Sequence, residues 1–388
     1  MIKALNFKVH LAGNQVCMKR GLDADRIRRY LLANGCELVE TPDGADIILA
    51  LTCAFISSYS QTAARMIEKL KQYPAKLVML GCLPAMAPDL ARSVFDGPTL
   101  LTRDLDQIDR LFPGFTIPFA SIPDGNFPDT AVMQTFDPDT PCPIGIRNNV
   151  SGKKRAGPFI RIAWGCRNNC SYCSHPAALG PLKSKALDIC VQEYKALLKE
   201  GHQLVTIHAN DPGAYGQDIG LSYPALLERL DNETPTPAIK WSLCDVNPTW
   251  LIKHRDGLLP FFRKGRICHL GVPLQSGSPA ILKRMRRDSR VDEIIGTLKA
   301  FREADAKFSL TSHLILGFPG ETDEDRNLTF AVVCQAQIQR VYLFPFSANP
   351  DTPASRMEGQ HSREAITAFM KSFSDRLSAA SIPADVFA

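Results

Sequence analysis

Gly165-Cys166-Arg167-Asn168-Asn169-Cys170-Ser171-Tyr172-Cys173 is the stretch on which the reading of this chain turns. It directly follows the apolar run Phe159-Ile160-Arg161-Ile162-Ala163-Trp164, which has the length and composition of a buried strand. A loop carrying three thiols in a C-x3-C-x2-C spacing therefore begins where a strand ends. Three thiolates in so short a loop suit three irons of a [4Fe–4S] cluster and leave the fourth iron without a protein ligand, open to a substrate or cofactor. Zinc is the alternative metal, but a structural zinc takes four closed ligands, and the nearby candidate for the fourth is His175.

Downstream of the loop, strand and helix patterns alternate through Leu204-Val205-Thr206-Ile207, Lys240-Trp241-Ser242-Leu243, His269 to Leu274, Leu310 to Leu316 and Val341 to Pro345. With the strand before the loop, six such strands imply a partial (β/α)6 barrel over residues 158–357, working at the strand C-terminal ends. Residues 358–388 read as a C-terminal helical tail, with one amphipathic helix from about Ser362 to Ala380. Upstream, residues 1–118 alternate short apolar runs (Phe7 to Leu11, Ala45 to Leu51, Lys76 to Leu80) with helical patterns near Asp23 to Ala33 and Tyr59 to Gln72. That is the pattern of an open parallel-sheet α/β domain. Between them, residues 119–157 are rich in Pro, Gly, Asp and Asn and end in Lys153-Lys154-Arg155, the chemistry of a linker.

The N-terminal domain places a cysteine near the end of each of three strands: Cys17, Cys53 after Leu51-Thr52, and Cys82 after Leu80-Gly81. In a parallel sheet those ends share one edge, so the three thiols can converge on a second cluster with one free iron. Taken singly, each reads as an inert buried thiol. Cys36, Cys142, Cys190, Cys244, Cys268 and Cys334 follow no ligand spacing and read as buried or free thiols.

Composition sets the outer bounds. The 388 residues are 45% apolar and 22% charged, which excludes disordered and collagen-like chains. A net charge of +5, from 45 basic and 40 acidic residues, allows an acidic partner without demanding one. No run approaches the roughly 18 apolar residues of a membrane span, and the N-terminus has no signal-peptide pattern, so a cytoplasmic protein with no membrane partner is expected. Twelve cysteines are too few for a disulfide scaffold, which directs attention to their positions.

The C-x3-C-x2-C spacing, with Tyr172 before the third cysteine, resembles the radical S-adenosylmethionine (SAM) superfamily. With the N-terminal triad, residues 5–380 resemble the radical SAM methylthiotransferases. Asp211-Pro212-Gly213-Ala214-Tyr215-Gly216, His269 to Ser278, Leu282 to Arg287, Gly317-Phe318-Pro319-Gly320-Glu321-Thr322 and Phe344 to Thr352 follow family blocks in order. The resemblance implies two [4Fe–4S] clusters, held by Cys166, Cys170 and Cys173 and by Cys17, Cys53 and Cys82. It also implies SAM contacts at Tyr172, Asn210, Asp245 and Gln275, an external electron donor and a sulfur donor. The implied activity is insertion of a methylthio group at an unactivated C–H bond.

The chain departs from the family pattern at Trp164, where an acidic residue is common, at Leu179, where an arginine is expected, and at His313, where an aspartate is usual. About 30 residues follow Met357, too few for the family's C-terminal TRAM domain. The pair Asn210-Asp211 resembles the branch acting on an aspartyl β-carbon of a ribosomal protein. A peptide or protein side chain is therefore the favoured substrate, with tRNA adenosine as the alternative. Lys153-Lys154-Arg155 and Lys283 to Arg287 offer phosphate contacts, though the first reads as solvated linker. A two-cluster enzyme inserting sulfur alone or isomerising its substrate, and a non-catalytic cluster or zinc module, are the competing readings. His208 and His313 read either as site residues or as hydrogen-bonded core histidines.

Overall fold

The computed structural model describes residues 7–14, 17–129 and 158–387, and these fall into two compact units. Cys142 and the basic segment 153–155 lie outside the described residues.

The first unit is a five-stranded parallel sheet in the order β2-β1-β3-β4-β5. Its strands are β1 (Lys8–Gly13), β2 (Glu37–Val39), β3 (Ile47–Thr52), β4 (Lys76–Gly81) and β5 (Thr99–Leu101). All six residues of β3 are buried, as expected of a central strand with both faces covered. Helices α1 (Met18–Ala33) and α2 (Ser57–Leu70) follow β1 and β3, with α3 (Leu83–Met86) and α4 (Pro88–Val94) after β4. The chain leaves β1 toward β2 on one side and returns to β3 on the other. The ends of β1 and β3 thus form the switch point at which open α/β sheets present a ligand crevice. α1 starts earlier than hydropathy suggests, so that Cys17 occupies its N-cap.

The first unit also extends past residue 118. Phe119 and Ile122 are buried, and Arg26 of α1 donates from Nε to the Ile122 carbonyl at 2.8 Å. Arg28 pairs with Asp129 at 2.5 Å, and the Asp129 N–H reaches the Gly21 carbonyl. Composition suggests a linker here because Pro and Asp dominate, yet the arginines along α1 supply partners that no local pattern reveals. A second addition is α5 (His175–Leu179), within the segment Ser174–Gly180 that belongs to this unit. Ala178 enters its core beside Met86 and Ala87, and Arg103 Nη1 donates to the Ala177 carbonyl at 2.7 Å.

The second unit is a seven-stranded parallel sheet, β14-β13-β12-β11-β10-β9-β6, open between its two edge strands. The strands are β6 (Phe159–Arg161), β9 (Leu204–His208), β10 (Lys240–Leu243), β11 (Ile267–Gln275), β12 (Ser309–Leu316), β13 (Arg340–Pro345) and β14 (Ala384–Val386). A two-residue ribbon, β7 (Ala163–Trp164) with β8 (Lys183–Ser184), flanks the cysteine loop. One sheet face packs on helices: Trp241 is fully buried, with its indole N–H donated to Tyr194 Oη at 3.0 Å and its ring against Phe261. The opposite face carries Ser242, His269, Thr311 and His313. Loops leaving the strands start helices with Ser or Thr caps. Ser278 accepts from the Ile281 N–H, and Thr322 with Asp325 forms a reciprocal capping box.

All six expected strands are present, and one further element adds to them and to the helical tail. Helix α6 (Arg363–Ala379) does not end the fold, because β14 pairs with β13 and adds a seventh strand. β14 has three residues, preceded by Pro383 and centred on Asp385, too short and polar to show periodicity. Tertiary partners specify it instead. Arg340 Nη1 meets Asp385 Oδ2 at 3.0 Å, and the Phe387 ring stacks on Phe344 at 4.6 Å. Among the described residues no helix is long and apolar enough to cross a membrane.

Removing the stacked ring tests whether β14 matters to the sheet. Phe387→Ala is expected to cost about 3 kcal/mol of unfolding free energy in urea titration. A change within experimental error would show that β14 adds nothing to the sheet.

Candidate functional site

The sequence-read cysteines of the first unit stand at three neighbouring strand ends: Cys53 and Cys82 directly follow β3 and β4, and Cys17 caps α1 after β1. Cys53 and Cys82 are buried and Cys17 is partly exposed. Burial pushes the Cys53 thiol well up, and the neighbouring Cys17 and Cys82 push it further. Cys82 is raised by burial and Cys17, with Arg20 pulling the other way. The three thiols stand along one sheet edge, and a bound cation would hold them as thiolates.

Local chemistry fixes the loops. The Thr52 hydroxyl donates to the Leu80 carbonyl at 2.7 Å and accepts from the Leu83 N–H at 3.2 Å, while the Cys82 N–H reaches the Thr52 carbonyl at 2.9 Å. Gly81 is required at this crossing. Its φ is +104°, and a Cβ there would lie 2.4 Å from the Thr52 carbonyl oxygen. On the other side, buried Asn14 accepts from the Cys53 N–H at 2.9 Å and donates to the Tyr59 carbonyl at 3.1 Å. Sequence reading found Thr52 and Gly81 as neighbours of cysteines but passed over Asn14, whose partners lie 39 and 45 residues away.

In the second unit the loop Cys166 to Cys173 is held from several sides. The Asn168 backbone N–H and side-chain Nδ2 point at Cys166 Sγ at 3.4 and 3.3 Å, and the same amide donates to Asp211 Oδ2 at 2.8 Å. Ser171 is fully buried, its hydroxyl donating to the Arg284 carbonyl at 2.7 Å and its N–H to the Met285 carbonyl at 3.0 Å. Arg287 bridges the Pro273 carbonyl at 2.5 Å and Cys170 Sγ at 3.7 Å. Tyr172 packs against a small apolar cluster that includes Met285, Phe318 and Phe346. Asn168, Ser171 and Arg287 escape a reading focused on thiols. Their signal is the invitation of a buried sulfur to N–H donors.

The strand ends around this loop are polar and strained. Asp245, beyond β10, and Gln275, the last residue of β11, have φ of 62° and 74°, conformations that non-glycine residues adopt at a cost. Buried Gln275 Oε1 and Asp211 Oδ1 have no hydrogen-bond partner. Burial raises the Asp211 carboxyl to about 6 against the opposing pull of Trp250, Arg287 and Asn168. Asn210 follows β9 half-buried, and His208 is buried at the end of β9 against the Phe159 ring. Unmatched buried acceptors at strand C-terminal ends suit a polar, cationic cofactor, and N–H groups aimed at thiol sulfur suit a cluster. The residues present therefore fit both groups.

Three departures from the family pattern acquire physical settings. Trp164 lies between Arg161 and Lys185, whose charges sit 5.7 and 5.5 Å from its ring, so an aromatic face meets the cations a carboxylate would otherwise pair. Leu179 is buried in α5. His313 Nδ1 stands 3.8 Å from Asp245 Oδ1, with its ring edge-on to Tyr342 and Phe344. Next to it His269 bridges Ser242 at 2.8 Å and Thr311 at 3.0 Å. Cys36 and Cys190 are buried, Cys244 and Cys268 partly so, and Cys334 is exposed. Among the described residues no three His, Cys, Asp or Glu side chains crowd around a single-ion position.

Comparison with known proteins agrees with this geometry. The radical SAM superfamily model matches residues 160–332, and a family described as Uncharacterized protein family UPF0004 matches residues 10–97. The chain is 30% identical over 354 residues to the ribosomal protein uS12 methylthiotransferase RimO of Elusimicrobium minutum, covering 89% of this chain and 77% of that protein. It is 29% identical over 327 residues to the threonylcarbamoyladenosine tRNA methylthiotransferase MtaB of Thermotoga maritima, covering 83% and 71%. Among solved structures it resembles the radical S-adenosylmethionine methyltransferase TsrM from Kitasatospora setae, with a TM-score of 0.61, 14% identity, and coverage of 90% of this chain and 77% of that one. At that identity the likeness is one of fold.

Two measurements probe these settings. Gly81→Ala is expected to cost about 2 kcal/mol or more of unfolding free energy in urea titration, because a Cβ there meets the Thr52 carbonyl and the positive φ is strained for alanine. Unchanged stability would mean that the backbone at this crossing has room that the structure does not show. Burial pushes the His269 imidazole down to about 4, Asp245 opposing and His313 adding to the fall. The unfolded imidazole, at about 6.5, then binds its proton first. Stability is fully present above that pH and drops, by a few kcal/mol at most, as the pH falls toward 4. His269→Asn should flatten this part of the stability profile, and an unaltered profile would assign the acid sensitivity elsewhere.

Proposed function

Since this chain belongs to the radical SAM methylthiotransferase family, a family of SAM-dependent enzymes that carry a [4Fe–4S] cluster, we propose that it places a methylthio group on an unactivated carbon of a peptide or protein side chain. The observation that carries the proposal is the pair of cysteine triads, each at the C-terminal edge of its own parallel sheet. Cys166, Cys170 and Cys173 hold the radical-generating cluster, and Cys17, Cys53 and Cys82 hold a second one. Tyr172, Asn210, Asp245 and Gln275 contact SAM. When bound, the clusters and SAM supply the radical that opens a C–H bond and the sulfur group that replaces its hydrogen.

The chain's own residues supply placement and exclusion of water. Asn168 and Arg287 direct N–H groups at Cys166 and Cys170, which steadies the loop's sulfurs and spreads their negative charge. Burial of Asp211 and the unmatched oxygens of Asp211 and Gln275 offer acceptors to a cationic ligand. Held at the strand ends, such a ligand keeps one orientation, which a short-lived radical needs in order to meet its target. An external electron donor and a sulfur donor complete the cycle.

A protein side chain is favoured by the Asn210-Asp211 pair and by the uS12-modifying relative. The tRNA-modifying relative from Thermotoga maritima supports adenosine as the second reading. Incubating the reconstituted enzyme with SAM, dithionite, sulfide and a ribosomal protein extract, then comparing peptide masses, distinguishes them. A gain of about 46 Da on a peptide is expected, against about 32 Da for sulfur alone, by atomic arithmetic on the group transferred. A gain of about 46 Da found only on nucleosides of added tRNA would reverse the substrate assignment. Release of 5′-deoxyadenosine with neither product would remove methylthio transfer altogether.

A further inference from the structure

Arg20 and Asp23 form a buried ion pair on the first turns of α1. Arg20 Nη1 lies 2.6 Å from Asp23 Oδ2, and the two side chains are 4% and 7% exposed. Such a pair loses hydration on both ions, and well-packed apolar side chains would commonly serve stability as well or better. Its placement gives it another use. Cys17 is the N-cap of the same helix, three residues ahead of Arg20. Arg20 lies about one helical turn and Asp23 about two from Cys17, at the end of α1 that meets the sheet edge followed by Cys53 and Cys82.

We propose, resting on the reading of Cys17, Cys53 and Cys82 as cluster ligands, that Arg20 and Asp23 are positioning residues that set the reduction potential of the group held there. Adding an electron brings negative charge into a poorly solvated site. A fixed positive charge nearby favours the reduced state and raises the potential, and a fixed negative charge lowers it. Arg20 is the raising element and Asp23 the restraint.

The test uses the full chain carrying Cys166→Ala, Cys170→Ala and Cys173→Ala, so that iron and sulfide load the N-terminal triad alone. One-electron midpoint potentials are read by a mediated redox titration followed by electron paramagnetic resonance, with iron content and melting temperature measured alongside. Arg20→Gln is expected to lower the midpoint, Asp23→Asn to raise it, and Arg20→Lys to leave it near the parent value. Shifts of opposite sign do not arise from loosened packing. Arg20→Gln and Asp23→Asn moving in one direction, or neither moving while iron is retained, overturns the assignment. If Arg20→Gln fails to load, Asp23→Asn against Arg20→Lys reads the same sign. A parent protein that takes up no cluster removes the second-cluster reading itself, and this inference with it.

Discussion

Both large sheets are parallel throughout, and that single constraint organises the chemistry. In a parallel sheet every strand delivers its C-terminal end to the same edge, so residues far apart in sequence arrive together without any long-range signal between them. Cys17, Cys53 and Cys82 are separated by whole helices yet stand at three neighbouring strand ends. Asp211 and Asp245 follow β9 and β10, and Gln275 closes β11, in the same way. Short loops then refine positions that topology has already grouped. Where the approach is closest, between the Thr52 carbonyl and Gly81, there is no room for a side chain at all.

Burial gives each site its character and also its difficulty. Thiols removed from water resist ionisation, as Cys53, Cys82 and Cys166 do, so the protein must supply compensating donors or charge. Each triad has one arginine suited to this: Arg20 in the first unit and Arg287 in the second. The means differ. Arg287 touches a sulfur directly, whereas Arg20 acts through space and is partly neutralised by Asp23. A polar chain Ser242–His269–Thr311, with His313 and Asp245 beside it, likewise lines the open face of the second sheet in place of apolar packing.

Much of this was legible in the sequence because its signals are local. Apolar runs mark strands, and a thiol after a run marks a strand end, so the α/β class and the cysteine positions are legible from the sequence. What stayed hidden depends on partners distant in sequence. β14 has three residues and no periodicity, and it exists because β13, Arg340 and Phe344 receive it. Residues 119–129 look like linker until the arginines of α1 are seen to bind their carbonyls. Asn14 and Asn168 are ordinary asparagines in sequence. Only the fold shows that one braces a cysteine loop from another strand and the other turns its amide toward sulfur.

The path of α5 bears on how this architecture can be rearranged. Immediately after Cys173 the chain contributes Ser174–Gly180 to the first unit, and then returns to the second. The first unit is therefore discontinuous, and Ala178 fills a place in its core that no earlier residue occupies. A gene fusion that exchanged the two units at the stretch between them would carry this plug away with the wrong partner. During synthesis, too, the first sheet can be assembled well before its last core residue has left the ribosome. Recombination among relatives should then preserve the pairing of a given first unit with the α5 that fits it, so that the two units travel through evolution as one inherited piece.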